Sequence, residues 1–286
     1  MDDLDWTLLT LLDRERSISA IAQELFITQP ALTYRVKKME SYFQARLFTR
    51  TKKGFLPTPV GELAIEYAKS MKKELKKVQE DIFSLEGKVK GKIYIGSSSA
   101  VAQYLLPDLL SKFNDLYPDI ELNVVTGFSS SLVPLLYDGK IHVAFLREEI
   151  EWNHYKQLLS TEGIFLVSRS PIELEKLPSL SRLDYTTNPS LRGLLDGWWA
   201  QNFRVPPKVT MNVDTADTCK EMVRAGLGYT FLTELCLRSE QELCCVPLLN
   251  SAGVPLSRQT WLYGTEEAVN FIAVREFLAF ISGVLG

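Results

Sequence analysis

The sequence predicts an α/β protein with a small helical front domain, a long linker helix and two α/β lobes behind it. Three patterns support this fold class. Residues 4–43 place apolar side chains at helical spacing in short stretches. Residues 59–85 continue one apolar repeat, and from residue 92 strand-like runs alternate with helical ones, as in a covered, mostly parallel sheet. The expected domains are 1–58, 59–87 and 88–286, the last with lobe I at about 91–160 plus 265–286 and lobe II at about 161–264.

The candidate functional element of the front domain is a helix over residues 28–43. Its apolar residues recur at spacings of four, three and four, which marks one buried face. They are Leu32, Val36, Met39 and Phe43. Thr28 is expected to cap this helix, with Pro30 in its first turn. The opposite face carries Gln29, Thr33, Tyr34 and Lys37, which suit base and phosphate contacts in a DNA major groove, although a solvated charged face is the alternative.

The segments on either side of this helix favour DNA binding. Residues 17–25 form a short helix, and only Phe26 and Ile27 separate it from Thr28, as in a helix-turn-helix. Two strand-like runs at 47–56 surround a Lys-Lys-Gly turn and predict a basic wing. Residues 35–53 hold seven Lys or Arg against one acid, which supplies attraction to phosphates. A leucine-rich helix near the N-terminus is expected to pack behind this pair.

A family resemblance becomes specific in the run AIAQELFITQPALTYRVKKMESYFQARLFTRTKKGFLPTPVG. It resembles the winged helix-turn-helix of LysR-type transcriptional regulators. The matching residues are Ala22, Leu25, Thr28, Gln29, Pro30, Ala31, Thr33, Glu40, Leu47, Phe48, Arg50, Thr58 and Gly61. The departures from the family pattern are Ile21, Tyr34, Gln44 and Pro57. With Thr28 opening the helix, base contacts are expected from Gln29, Pro30 and Thr33, and mainly backbone contacts from Tyr34, Lys37, Arg50 and Lys53.

Composition and charge argue against several classes. The 286 residues are 46% hydrophobic, and no apolar run approaches the roughly 20 residues of a membrane span. The acidic start MDDLDWTLL is unlike a signal peptide, so we expect a cytoplasmic protein with no membrane partner. Residues 1–90 carry 16 basic and 13 acidic side chains, and the remainder carry 16 and 22. The acidic rear is therefore not expected to touch nucleic acid.

Cysteine and histidine usage predicts neither a metal site nor a cofactor. The four cysteines form no CxxC pair, and neither histidine lies near them. Reduced, structural thiols are the simpler interpretation, and a redox role of Cys244 and Cys245 stays open. The chain also lacks a nucleophile elbow and a P-loop, and Gly226-Leu227-Gly228 lacks the rest of a dinucleotide fingerprint. An enzyme is therefore not the leading expectation.

The linker helix is expected to begin with Thr58 as cap and Pro59 in its first turn. Its apolar positions follow a pattern close to a heptad over three heptads. They are Ala64, Tyr67, Met71, Leu75, Val78, Ile82 and Leu85. The partner of this stripe is either another part of the same chain or a second copy, which gives a homodimer or, with further contacts, a homotetramer. The run GKVKG at 87–91 is expected to act as a hinge.

The rear half is predicted from alternating elements. Strands are expected at 92–96, 120–126, 141–146, 164–168, 208–213 and 229–232, and helices at 105–117, 131–137, 191–203, 216–225 and 267–284. The chain is expected to cross between lobes near 158–165 and to return through 261–264. This half resembles the effector-binding domain of the same family, whose fold is like that of periplasmic binding proteins. The likeness rests on KIYIG at 92–96, Leu106-Pro107, Tyr117-Pro118, Gly139-Lys140-Ile141 and VRAGLG at 223–228.

Serine clusters mark the expected ligand site. Residues 97–99 follow the first predicted strand and 129–131 follow the second, and ligands of open α/β sheets bind beyond the carboxyl ends of strands. A carboxylate or another small oxyanion suits these hydroxyls, while plain helix capping is the alternative. The resemblance implies effector contacts at Ser98, Ser99 and Ser129 and, more loosely, at Thr126, Asn188 and Thr215.

The leading functional hypothesis is a sequence-specific regulator of the LysR type that binds a double-stranded DNA operator and responds to a small, anionic effector. The alternative is a cytoplasmic small-molecule-binding protein or an enzyme with an unrelated use of the helix-turn-helix. Salt-dependent binding to bulk DNA separates these classes, because only the regulator predicts it.

Overall fold

A computed structural model describes residues 1–14, 17–51, 54–85, 89–238, 240–266 and 268–285. The chain divides into two units, Met1–Leu85 and Glu86–Gly286. Within the described residues, no helix combines the length and apolar character needed to cross a bilayer. Lys53 of the predicted wing and part of the predicted hinge at 87–91 lie outside the described residues.

The first unit contains four helices and a two-stranded sheet among its described residues. Its elements are α1 Asp3–Arg14, α2 Ile18–Glu24, α3 Gln29–Phe43, β1 Phe48–Thr51, β2 Gly54–Pro57 and α4 Pro59–Leu85. The predicted helix-turn-helix is confirmed, because only residues 25–28 separate α2 from α3. Thr28 Oγ1 caps α3, as expected, by accepting from Ala31 N at 3.3 Å. The wing strands β1 and β2 pair antiparallel.

A single apolar core holds the first unit together. The predicted inner face of α3 is buried, with Phe43 packed at its edge. Residues from α1, α2, the wing and the first turns of α4 complete the core. Ala64, the first position of the predicted apolar stripe, is 4% exposed within this core, so at this position the stripe packs against the same chain. The start of α4 therefore stabilises the helix-turn-helix.

The second unit is built on one continuous path of strands. The strands are β3 Gly91–Ser97, β4 Ile120–Thr126, β5 Val143–Leu146, β6 Tyr155–Ser168, β7 Arg182–Tyr185, β8 Val209–Val213, β9 Tyr229–Thr233, β10 Cys244–Pro247 and β11 Ser257–Gly264. The order is β4-β3-β5-β11-β6-β9-β7-β8, and β10 pairs with β6. The helices are α5 Ser99–Tyr104, α6 Leu106–Leu116, α7 Ser129–Tyr137, α8 Pro189–Asn202, α9 Ala216–Arg224 and α10 Ile272–Leu285.

Two long strands join the lobes of this unit. The first part of β6 pairs with β11 in lobe I, and its residues from Ile164 to Ser168 pair with β9 in lobe II. The predicted crossing near 158–165 is therefore correct. The return strand β11 starts at Ser257, opposite Gly163, earlier than expected. Each lobe has its own apolar core, with Phe113 against Phe277 in lobe I.

Several expectations about this half were wrong. The sheet is mixed, because β6 pairs antiparallel with β9, β10 and β11. Of these partners, β10 was not predicted, and β11 was expected only from residue 261. The expected helix at 105–117 is present as α6, but the short helix α5 that precedes it at Ser99–Tyr104 was not predicted. The last helix begins at Ile272 and buries one face only, leaving Arg275 and Ala279 exposed.

Candidate functional site

The outward face of α3 gathers most of the predicted DNA contacts. Gln29, Pro30, Lys37 and Arg50 are exposed, Tyr34 is 70% exposed, and Thr33 is half-buried. Together with Ile18 they line one open concavity on the surface of the first unit. Thr28 is also exposed, at the N-cap. The arrangement presents amide, hydroxyl, methyl and cationic groups side by side, as readout of a DNA groove requires.

Contacts within the helix-turn-helix hold two of these side chains in place. Gln29 Nε2 donates to Ser19 Oγ at 3.0 Å, which ties the start of α3 to α2. Thr33 Oγ1 donates to the Gln29 carbonyl oxygen at 3.0 Å. The Gln29 amide is thus oriented at the N-terminal end of α3, where recognition helices contact base edges.

The wing is fixed to α3 by a carboxylate. Glu40 Oε1 accepts from the backbone N–H groups of Leu47 and Phe48 at 3.0 and 3.2 Å. Thr58 Oγ1 donates to the Arg46 carbonyl oxygen at 2.7 Å and accepts from Gly61 N at 3.1 Å. A Cβ on Gly61 would lie 1.9 Å from the Leu47 carbonyl oxygen, so only glycine fits there. These residues position the wing and its Arg50.

The expected basic patch is smaller than the charge count suggested. Arg35 Nη1 lies 2.9 Å from Asp2 and 2.5 Å from Asp5, whose side chain is fully buried. Lys38 Nζ lies 3.6 Å from the same Asp5. The hydrogen bond to Asp2, followed by that to Asp5, raises the pKa of Arg35. Arg35 therefore belongs to the α1–α3 contact, and of the cations predicted to contact DNA, Lys37 and Arg50 are described and exposed.

The outer stripe of α4 is strongly exposed. Leu63 is 72% exposed and Tyr67 57%, and the described distal positions Leu75, Val78 and Ile82 are about half exposed. Their spacings along the helix are four, eight, three and four residues, which keeps them on one side of it. A solvent-exposed apolar seam of this kind needs a covering surface.

The second unit holds a partly open cavity between its two lobes. It lies at the carboxyl ends of β3, β5, β7, β8 and β9, where ligands bind in α/β proteins. The described lining residues are Ser98, Ser99, Ala100, Gln103, Tyr104, Phe128, Ser129, Arg147, Tyr185, Thr186, Thr187, Asn188, Leu191, Asp214, Thr215, Ala216, Asp217, Thr233, Cys236 and Arg258.

Five of the six predicted effector residues line this cavity. Ser98 Oγ and Ser129 Oγ are buried without a hydrogen-bond partner among the described residues. Asn188 Oδ1 accepts from Leu191 N at 3.0 Å, and Thr215 Oγ1 accepts from Thr218 N at 3.1 Å, so both cap helices. Thr126 lies at the exposed end of β4 and is not part of the described lining.

Two arginines of the cavity were missed from the sequence. Arg147 is 3% exposed, forms an ion pair with Glu162, and leaves its Nε without a partner among the described residues. Arg258 Nε donates to the Arg147 carbonyl oxygen at 3.2 Å, and Arg258 Nη2 donates to Asn188 Oδ1 at 2.7 Å. Burial, reinforced by the charge of Arg258, lowers the pKa of Arg147 to about 9, and burial also lowers the pKa of Arg258. Both cations are desolvated, so an anion in this cavity is stabilised.

A signal for Arg147 was present in the sequence, because it directly follows the strand-like run at 141–146. Arg258 had no such signal, since β11 was not predicted before residue 261.

The cysteines do not form a site in the described part of the chain. Cys219 and Cys236 are buried, Cys245 is exposed, and all four are free thiols. Among the described residues, no group of side chains is arranged to hold a metal ion.

Comparisons with known protein families match both halves of the chain. A family model described as "Bacterial regulatory helix-turn-helix protein, lysR family" matches residues 5–62. A second, described as "LysR substrate binding domain", matches residues 86–286.

Relatives and solved structures agree with these matches. The HTH-type transcriptional regulator YraN of Bacillus subtilis is 38% identical over 283 residues, covering 99% of this chain and 98% of the relative. YkuM of the same organism is 31% identical over 280 residues, covering 97% of this chain and 96% of YkuM. The structure of full-length CbnR complexed with its target DNA aligns with a TM-score of 0.58 at 16% identity, covering 98% of each chain. AphB of Vibrio cholerae aligns with a TM-score of 0.56 at 18% identity over the whole of both chains. At these identities, the two structures show the fold alone.

Proposed function

Because this chain belongs to the LysR family of DNA-binding transcriptional regulators, we propose that it reads an operator through α3 and responds to a small anionic effector in the interlobe cavity. A helix-turn-helix in front of an effector-binding domain is the organisation of a transcriptional regulator, not of an enzyme. A regulator of this kind works where the chromosome lies, which is the cytoplasm of a bacterial cell.

Direct base readout is proposed for Gln29, Pro30 and Thr33. The observation that carries this assignment is the single concave surface that unites them with Tyr34, Lys37 and Arg50. Gln29 is exposed, oriented by Ser19, and able to make paired hydrogen bonds to adenine. Lys37 and Arg50 are assigned to phosphates, and the same role is expected of Lys53. Such contacts position the protein on the duplex but carry no sequence information.

Gel-shift titrations test this assignment. Gln29→Ala is expected to weaken operator binding by about 1–3 kcal/mol and binding to random DNA hardly at all. Lys37→Ala is the matched control, since losing a phosphate contact weakens both DNAs alike. An equal loss on both DNAs for Gln29→Ala would remove it from base readout.

A homodimer through α4 is proposed as the form that binds DNA. The exposed residues Leu75, Val78 and Ile82 lie along one stripe, and a second copy offers the same stripe in return. Two copies present two recognition helices to two half-sites. Ile82→Glu is expected to shift the protein to monomers in sedimentation velocity and to reduce operator affinity; an unchanged oligomer would place the interface elsewhere. A tetramer requires additional contacts on the second unit.

An anionic effector is supported by the polar groups left open in the cavity. Ser98 Oγ, Ser129 Oγ and Arg147 Nε are buried donors without a partner among the described residues, and such groups cost free energy until they are paired. A carboxylate or another oxyanion can accept hydrogen bonds from all three of these groups. A thermal-shift screen of small carboxylates and inorganic oxyanions tests this, because a ligand at 100 times its Kd adds about 2.7 kcal/mol of stability. A protein that no anion stabilises would contradict the proposal.

A further inference from the structure

Among the described cations that line the interlobe cavity, Arg258 lacks a counter-ion within ion-pair distance. Its guanidinium donates hydrogen bonds to a backbone carbonyl and to the neutral side chain of Asn188. None of the described carboxylates lies within ion-pair distance of it. Arg147, its neighbour, is paired with Glu162, and Glu162 in turn accepts from Leu235 N at 2.7 Å. The pair is neutral as a whole, although Arg147 Nε still points to no acceptor among the described residues.

The opposite wall of the cavity is already neutral. Lys220 is 8% exposed and lies 3.5 Å from Asp217. Lys220 Nζ also donates to the Cys236 carbonyl oxygen at 3.0 Å and to Tyr104 Oη at 3.4 Å. An ammonium group has three protons, and these three contacts use them. Tyr104 Oη donates to Asp217 in addition. The remaining lining acid, Asp214, is exposed at the rim and screened by water.

The described lining therefore carries one positive charge that has no counter-ion within ion-pair distance, since Glu148 acts on Arg258 only from farther away, and it offers no second free cation. The rest of the lining includes apolar and aromatic groups. These are Ala100, Tyr104, Phe128, Tyr185, Leu191 and Ala216. A ligand that fits must supply one negative charge for Arg258, acceptors for the open hydroxyl and guanidinium groups, and an apolar body for the remaining surface.

From this charge balance, and resting on the proposed function, we infer that the effector is a monocarboxylate with a compact apolar body. A dicarboxylate or a dianionic oxyanion brings a second charge into a largely buried site whose described lining offers no second free cation, and an unpaired buried charge is unfavourable. A neutral amide of the same shape leaves Arg258 without its counter-ion. The inference thus predicts an order of affinity: monocarboxylate above amide, dicarboxylate and inorganic phosphate.

Isothermal titration of the full-length protein tests this order. The probes are butanoate, hexanoate and cyclohexanecarboxylate, with their amides, and succinate, adipate and inorganic phosphate for comparison. At least one monocarboxylate is expected to bind ten or more times more tightly than its amide and than each dianion. Arg258→Gln is expected to reduce the acid-to-amide ratio at least tenfold, while Arg258→Lys retains part of it. Arg169→Gln is the matched control, because Arg169 is exposed and outside the lining, so it changes net charge without touching the cavity.

The outcomes separate the inference from the proposed function. Tighter binding of a dicarboxylate, of phosphate or of an amide would overturn the monocarboxylate inference and leave an effector-controlled regulator in place. An Arg258→Gln variant with an unchanged acid-to-amide ratio would also overturn it, as would a panel in which none of the acids binds. Operator binding measured on the same sample tests the proposed function independently of which ligand is preferred.

Discussion

Arg35→Met distinguishes a structural from a DNA-binding role for a cation that the charge count placed in the basic patch. Arg35 reaches from α3 to Asp2 and Asp5 at the start of α1. The two aspartates also bond to each other's backbone N–H at 3.0 Å, as in a capping box at the start of α1. Methionine keeps the length and apolar stem of the side chain and removes its charge and donors.

The expected cost follows from the burial of Asp5. Its side chain is fully buried, and removing one partner of a buried ion pair typically costs about 3–5 kcal/mol. Two features reduce this figure: Arg35 is 24% exposed, and Lys38 Nζ remains 3.6 Å from Asp5. We expect the first unit to lose about 2–3 kcal/mol, which lowers its unfolding midpoint by roughly 8–20 °C.

The assay is thermal unfolding of the full chain, combined with DNA titrations at several salt concentrations. Lys37→Met is the control, since Lys37 is exposed on the same helix. It is expected to unfold at the wild-type temperature and to reduce the salt slope of DNA binding by about one. The reasoning would be refuted by an Arg35→Met variant that unfolds at the wild-type temperature and loses one unit of salt slope, because that is the behaviour of a phosphate contact.

Three further substitutions test other contacts of the structure. Glu40→Ala leaves two wing amides without their acceptor and is expected to cost the first unit about 2–4 kcal/mol by urea unfolding, whereas Glu40→Gln keeps an acceptor and loses far less. Gln44 has a left-handed backbone with φ 51° at the end of α3, so Gln44→Gly is expected to stabilise the first unit by about 0.5–1 kcal/mol. A lower urea midpoint of unfolding would show that the backbone of Gln44 is not strained. Tyr104→Phe removes a hydrogen bond to Asp217 that links the two lobes and is expected to speed effector dissociation in stopped-flow measurements; unchanged rates would show that this contact does not hold the cavity closed.

The sequence was most informative where the cause of a structure is local. The buried face of α3, its Thr28 cap and the serines after β3 follow from spacing and residue type within a few positions. Arg35 could not be assigned in this way, because the aspartates that bind it are some 30 residues earlier in the chain. A count of charges records that a cation is present and omits the partner that neutralises it.

The same limit explains the errors in the second unit. The strand β11 has no clear alternation of apolar and polar residues, and its place is decided by pairing with β5 and β6 more than 90 residues earlier. Arg258 enters the cavity only because β11 lies there. The serines were predicted and Arg258 was not, so hydroxyl donors to an anion were expected without the cation that balances its charge.

Arg147 connects the interlobe cavity to the two strands that join the lobes. Its guanidinium bonds Glu162 on β6 and lies 3.3 Å from Thr260 on β11, while its open Nε faces no acceptor among the described residues. An anion bound at Nε therefore competes with or reinforces contacts to both connecting strands. Regulation requires that the anion bind one arrangement of the lobes more tightly than another, and a tenfold preference needs only about 1.4 kcal/mol, the value of a single charge-assisted hydrogen bond. Glu162→Gln keeps an acceptor for Arg147 and removes the competing charge, so in the proposed regulator it is expected to tighten effector binding while weakening the effect of the ligand on operator affinity.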